Sequence, residues 1–136
     1  MIDIIYGAKG SGKTKQIIDR ANANLETAKG NIVFISETNR YMYDVKTQIR
    51  FLNSTEFMVD CSKCLTSFIC GLIGGNSDIE VVYIDGIARI CNAPLEELGN
   101  FFEKLEKISS NLEVKFVLTI SCDKENLPVF IKKHVK

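Results

Sequence analysis

The chain of 136 residues has one histidine, His134, and only four arginines, and neither sign of charge is in excess. No apolar run approaches the roughly 20 residues that a membrane helix needs, and the start Met1-Ile2-Asp3 makes a poor signal peptide. With 17 basic and 17 acidic residues the net charge is zero. That balance argues against wholesale nucleic-acid or anionic-membrane binding, which rely on excess positive charge. The lone histidine argues against a histidine-built metal centre. Cys61 and Cys64 form an isolated C-x-x-C pair with no second pair at matching spacing to complete a zinc site. The five cysteines are odd in number and unevenly placed, so they read as reduced thiols of a cytoplasmic protein. A redox role for Cys61 and Cys64 would need an exposed thiol at a helix start, a position that Ser62 would create by opening a helix. Repeats, low-complexity tracts and linkers are also lacking. Residues 1–136 therefore read as a single domain, large enough for one core and too small for two.

What is present is an alternation of two periods. Residues 2–6, 32–35, 81–84 and 114–120 are short β-branched runs expected as buried strands, with a weaker strand at 56–59. Residues 13–25, 41–51, 62–73, 94–108 and 127–135 carry helical spacing. In the fourth of these, Pro94 suits a first turn and Leu98, Phe101, Phe102, Leu105 and Ile108 line one face. Strands alternating with helices imply an α/β fold of three layers: a mainly parallel five-stranded sheet with helices on both faces.

The most informative segment is Gly7-Ala8-Lys9-Gly10-Ser11-Gly12-Lys13-Thr14. It matches G-x-x-x-x-G-K-[ST] at every fixed position, and it lies between a buried strand and an amphipathic helix. Such a loop turns successive backbone N–H groups toward one phosphate, and the helix behind it adds a partial positive charge. Residues 7–14 and the following Lys15 are thus the expected nucleotide-binding segment. Lys13 would reach the β and γ phosphates, and the Thr14 hydroxyl would ligate Mg2+. Val81-Val82-Tyr83-Ile84-Asp85 is an apolar strand ending in an acid, the second half of the pattern. In a parallel sheet Asp85 would face Thr14 across the metal ion.

Residue 86 is glycine, where many P-loop ATPases carry a water-activating glutamate. A second carboxylate, Glu37, ends the strand Ile32-Val33-Phe34-Ile35-Ser36. It is the candidate for positioning water, with an exposed or capping acid as the plain alternative. Catalytic candidates are therefore Lys13, Glu37 and Asp85, and metal candidates are Thr14 and Asp85. Residues 7–14, 33–37 and 81–88 together resemble the RecA-like core of P-loop NTPases, and the chain as a whole resembles small bacterial ATP-binding P-loop proteins. Some of those carry a loose label as twitching-motility ATPases, but the histidine- and acid-rich boxes of true motility ATPases are absent. The resemblance implies a RecA-like strand order and a Mg2+-dependent nucleoside triphosphatase. It departs from the recombinases and helicases in having no room for their DNA-binding loops.

ATP is favoured over GTP, because residue 88 is Ala where a GTPase has Gly and no Asn-Lys-x-Asp is present. Arg40, Arg50 and Arg89 are candidates for stabilising charge, Arg89 the best placed, in cis or from another subunit of a homo-oligomer. Thr119 or Ser121 would sense the γ-phosphate, or simply cap a strand. Tyr41-Met42-Tyr43 either stacks a base or packs the following helix. Two rivals to hydrolysis remain. One is a nucleotide-dependent switch in residues 38–43 that a protein partner reads. The other is a small-molecule kinase, which four arginines and no evident lid disfavour.

Overall fold

In a computed structural model of the chain, residues 1–135 are described. The elements run β1 (Ile2–Gly7), α1 (Lys13–Asn24), β2 (Asn31–Ser36), β3 (Arg50–Asn53), α2 (Ser62–Gly75), β4 (Ile79–Ile84), α3 (Ile87–Cys91), α4 (Gly99–Leu112), β5 (Lys115–Ser121) and α5 (Val129–Lys132). The strands form one sheet in the order β1-β5-β4-β2-β3, with every strand pairing parallel. The expected three-layer α/β fold is present, and its sheet is wholly rather than mainly parallel.

The pleat explains the layers. Alternate residues of a strand face opposite sides. Ile32, Phe34, Val81, Tyr83 and Val117 pack with Ile17, Ile18 and Ala21 of α1. Their neighbours Val33, Ile35, Val82, Ile84, Phe116 and Leu118 pack with α2, α3, α4 and α5 through Leu65, Ile69, Ile87, Phe102, Leu105 and Ile131. Both faces of β2, β4 and β5 are covered, which is why these strands read as continuous apolar runs. Phe102 and Phe116 are fully buried. Each such side chain contributes roughly 1.5–3 kcal/mol relative to exposure.

Four expectations about local structure need correction. The helix expected over 41–51 is a single 3-10 turn, Met42–Asp44, followed by extended chain and then β3. Asn22 of α1 explains it: its side-chain amide donates to the Asp44 carbonyl at 2.9 Å and accepts the Lys46 N–H at 2.9 Å. Those backbone groups are satisfied without a helix. Val45 and Ile49 are still buried, so their helical spacing recorded two anchor points rather than a helix face. Downstream, Phe51 stacks on Phe34 at 5.8 Å between ring centroids, which fixes Arg50–Asn53 as an edge strand.

The strand expected at 56–59 is the 3-10 turn Ser54–Phe57. It is capped by Asn53, which accepts the Thr55 N–H, and ended by Met58 at φ 58°. The helix expected from Pro94 splits at Leu98 into a 3-10 turn, Leu95–Glu97, and α4. The closing helix over 127–135 shrinks to α5, because Leu127 precedes Pro128 and is held extended at ψ 131°. No helix among the described residues is long and apolar enough to cross a membrane.

Candidate functional site

Because the strands are parallel, their carboxyl ends share one edge of the sheet. Gly7 of β1 is in register with Ser121 of β5, and Ile84 of β4 lies between Leu118 of β5 and Ile35 of β2. The residues that follow these strands therefore converge. They line a cleft of about 1040 Å³ that contains Lys9, Gly10, Gly12, Lys13, Thr14, Lys15, Glu37, Asp85 and Arg89.

The loop between β1 and α1 is held by few internal bonds. The Ser11 N–H donates to the Ala8 carbonyl at 3.1 Å, and the Gln16 N–H donates to the Gly12 carbonyl at 3.1 Å. Gly12 precedes α1 at φ 89°, a left-handed conformation that glycine adopts without cost, and no side chain caps the helix. The first amides of α1 thus lack a capping side chain, as an anion-binding helix start requires. Lys13 opens the helix, is nearly buried, and donates from Nζ to the Ala8 carbonyl at 2.9 Å. Its ammonium pKa is pushed below the ordinary lysine value by burial first and by the Arg89 charge second; Asp85 opposes both. Lys15 is at the exposed margin of the cleft, where its Nζ is 2.8 Å from Asp19, which also lines it.

Asp85 follows β4 and is buried. Oδ2 accepts from the Thr14 hydroxyl at 3.0 Å, and Oδ1 accepts from the Thr119 hydroxyl at 2.6 Å. Thr119 Oγ1 in turn accepts the Gly86 N–H at 2.7 Å. The Asp85 backbone is tied to β2 through its N–H and the Ile35 carbonyl at 3.0 Å. Among the described residues no cation forms an ion pair with this carboxylate. Thr14 and Asp85 are therefore a hydroxyl and a carboxylate in direct contact at the cleft floor, a donor set of hard oxygens. Mg2+ typically takes one or two protein oxygens of this kind and fills its remaining positions with water and phosphate. The residues present fit that ion.

Glu37 lies just past β2, as expected, but it does not stand free. Its carboxylate is ion-paired with Nε of Arg89. Arg89 comes from α3, a helix that the apolar pattern did not reveal. Its guanidinium folds back over Gly86, so that a Cβ at 86 would lie 2.7 Å from Cζ. Gly86 itself has φ 82°. The left-handed conformation favours glycine at this point, and any Cβ there would also have to displace the end of the flexible Arg89 side chain.

The remaining candidates separate. Arg40 and Tyr41 line the cleft, with the guanidinium 5.3 Å from the ring centroid. Tyr43 is 91% exposed and is no part of the cleft. Arg50 opens β3 and lines a different cavity, with Gln48 and Asn76. Ser121 lines the cleft, while the Thr119 hydroxyl is committed to Asp85. Thr119 was legible only as a polar strand end; its bridging role depends on register, which one sequence does not state.

Cys61 and Cys64 are joined as a disulfide, which corrects the reading of all five cysteines as reduced; Cys70, Cys91 and Cys122 are free. The fold and cleft define an all-parallel α/β protein with a glycine-rich loop and a buried acid at the carboxyl edge of its sheet. Compared with known proteins, the chain matches no family model and no curated protein.

Proposed function

We propose that this chain is a P-loop protein that binds a nucleoside triphosphate with Mg2+, ATP in preference to GTP, and hydrolyses it slowly. The observation that carries the reading is the Thr14–Asp85 hydrogen bond, which closes the glycine-rich loop onto the acid strand beside the Lys13 ammonium. Two segments far apart in the chain supply the two protein oxygens such a metal ion uses. They do so within one cleft of about 1040 Å³, which falls at the upper end of small-molecule site volumes. The strand order supports a RecA-like core, since β5 lies between the loop strand β1 and the acid strand β4.

In this reading the amides at the start of α1 and the Lys13 ammonium hold the β and γ phosphates. Thr14 and Asp85 hold the ion, which when bound neutralises charge on the phosphate oxygens. Glu37 orients water and accepts its proton as the γ-phosphorus passes from the β–γ bridging oxygen to the water oxygen, giving a nucleoside diphosphate and phosphate. The Glu37–Arg89 ion pair gives the nucleotide-dependent switch its own support. Glu37 is occupied until Arg89 has a better anion, so binding and hydrolysis are separable events. Residues 38–43 adjoin that pair and carry local turns, with the Arg40 N–H donating to the Thr38 hydroxyl at 3.1 Å.

Thermal denaturation with ATP, GTP and ADP, each with and without Mg2+, tests binding, because a ligand that prefers the folded state raises the midpoint. Phosphate release without an acceptor then tests hydrolysis. Lys13→Ala should abolish the nucleotide-induced shift. Glu37→Gln should keep the shift and lose turnover; unchanged turnover in that variant removes Glu37 from the chemistry. A shift with no phosphate release, and altered protease sensitivity near Thr38, would identify the switch.

A further inference from the structure

Away from the cleft, the first turn of α2 carries a second arrangement of reactive groups. Cys61 is the N-cap of this helix of 14 residues, in extended conformation, and its sulfur accepts the Cys64 N–H at 3.1 Å. The two Cα atoms are 5.1 Å apart, inside the range over which a disulfide closes without backbone movement. Asp60 Oδ1 lies 3.6 Å from Cys64 Sγ, and both cysteines are half-buried rather than sealed in the core. None of the other three thiols shares this setting. Burial pushes the Cys91 thiol up to about 11, and burial with nearby acids raises that of Cys122, while Cys70 sits exposed with no partner cysteine.

We propose that Cys61 and Cys64 form a reversible dithiol–disulfide site that exchanges electrons with small-molecule disulfides, for which glutathione is the probe. The helix start assigns the order of events. Cys61, whose sulfur receives a backbone N–H at the positive end of α2, is the attacking thiolate. It attacks one sulfur of the incoming disulfide, that S–S bond breaks, and one thiolate leaves and takes up a proton. Cys64 then passes its proton to Asp60 or to water and attacks the Cys61 sulfur, releasing the second thiol. Two cysteine sulfurs are oxidised to one disulfide, and the small disulfide is reduced to two thiols. Three donor atoms from Asp60, Cys61 and Cys64 also lie within 4.8 Å of one another. Structural zinc takes four ligands, and this group supplies three.

The test uses the full chain at fixed total glutathione and varied ratios of oxidised to reduced form. Remaining thiols are tagged with a maleimide and located by mass after digestion. The expected result is loss of the Cys61 and Cys64 tags together along one two-electron curve, reversed by reduced glutathione, with Cys91 unchanged. Cys64→Ser should trap one glutathione on Cys61, whereas Cys61→Ser should acquire it on Cys64 about tenfold more slowly. The proposal fails if the two tags are lost independently, if Cys70 reacts first, or if the bridge resists reduced glutathione at every ratio and is therefore a permanent structural link. Protection of the pair by added zinc instead of by oxidant would make it a metal site and also overturn the proposal. The wild-type titration stands alone if either variant fails to fold.

Discussion

Thr119→Val tests the floor of the cleft, because valine keeps the shape of threonine and removes only the hydroxyl. That hydroxyl makes two bonds: it donates to Asp85 Oδ1 at 2.6 Å and accepts the Gly86 N–H at 2.7 Å. A hydrogen bond to a charged acceptor contributes about 1.5–3 kcal/mol, and a buried N–H left without a partner costs about 1–3 kcal/mol. Asp85 borders the cleft, so water can replace part of the first loss but less of the second. The expected destabilisation is about 2–4 kcal/mol, read as a lower urea midpoint at unchanged slope. Thr119→Ser retains the hydroxyl and should lose about 1 kcal/mol or less, from one methyl group. The valine variant should also lose more of the Mg2+-dependent nucleotide shift than of any Mg2+-independent one, since Asp85 loses the group that orients it. A valine variant within about 0.5 kcal/mol of wild type would refute the reasoning, because surface-like changes fall in that range.

Gly86→Ala should cost about 1–2 kcal/mol for placing a Cβ at φ 82°, plus the displacement of Arg89; in an Arg89→Ala background the second part should vanish in a double-mutant cycle of denaturation midpoints. Asp3 is buried between Arg20 and Lys115: desolvation raises its pKa, but the hydrogen bonds and charges of the two cations together hold it below the ordinary value. Its contribution is present above the ordinary carboxylate range and is lost as pH falls through the lowered pKa. Asp3→Asn should therefore destabilise by about 1–2 kcal/mol at neutral pH and flatten the acid limb of a pH–stability curve, the cations being partly exposed. The depressed Lys13 pKa predicts that affinity for triphosphate falls on the alkaline side at lower pH than an ordinary lysine would give, measurable by nucleotide titration across that range. An affinity that holds level to the ordinary lysine pKa would contradict it.

The layers and the cleft were legible for one reason: both depend on strands buried on two faces. Such strands show as continuous apolar runs, and their carboxyl ends can be marked by eye at Gly7, Glu37 and Asp85. Residues 41–59 were misread because apolar spacing reports which side chains are buried, not which backbone carries them. Val45 and Ile49 reach the core from an irregular segment because Asn22, from another element, satisfies the backbone at 44 and 46. A bond of that kind leaves no local signature. Likewise α3 has only five residues, too short for periodicity to declare it, yet it delivers Arg89.

At position 86 the left-handed backbone, more than the movable Arg89 side chain, disfavours an acid beside Asp85. A glutamate at 86 would need both a left-handed backbone and the space that the Arg89 guanidinium fills. The negative charge instead reaches the cleft from β2 as Glu37, and it arrives neutralised by that same arginine. The pair is half exposed, so it is held by about 0.2–1 kcal/mol. The γ-phosphate of a triphosphate carries more charge than one carboxylate and would enter beside Lys13, whose pKa already registers Arg89. Under the proposed function, competition for the guanidinium would favour the phosphate and free Glu37 when a substrate is bound. Arg89→Lys tests that competition, since a lysine keeps the charge and loses the planar fork. It should retain nucleotide binding and lower turnover, whereas equal losses of binding and turnover would mean that Arg89 only attracts anions.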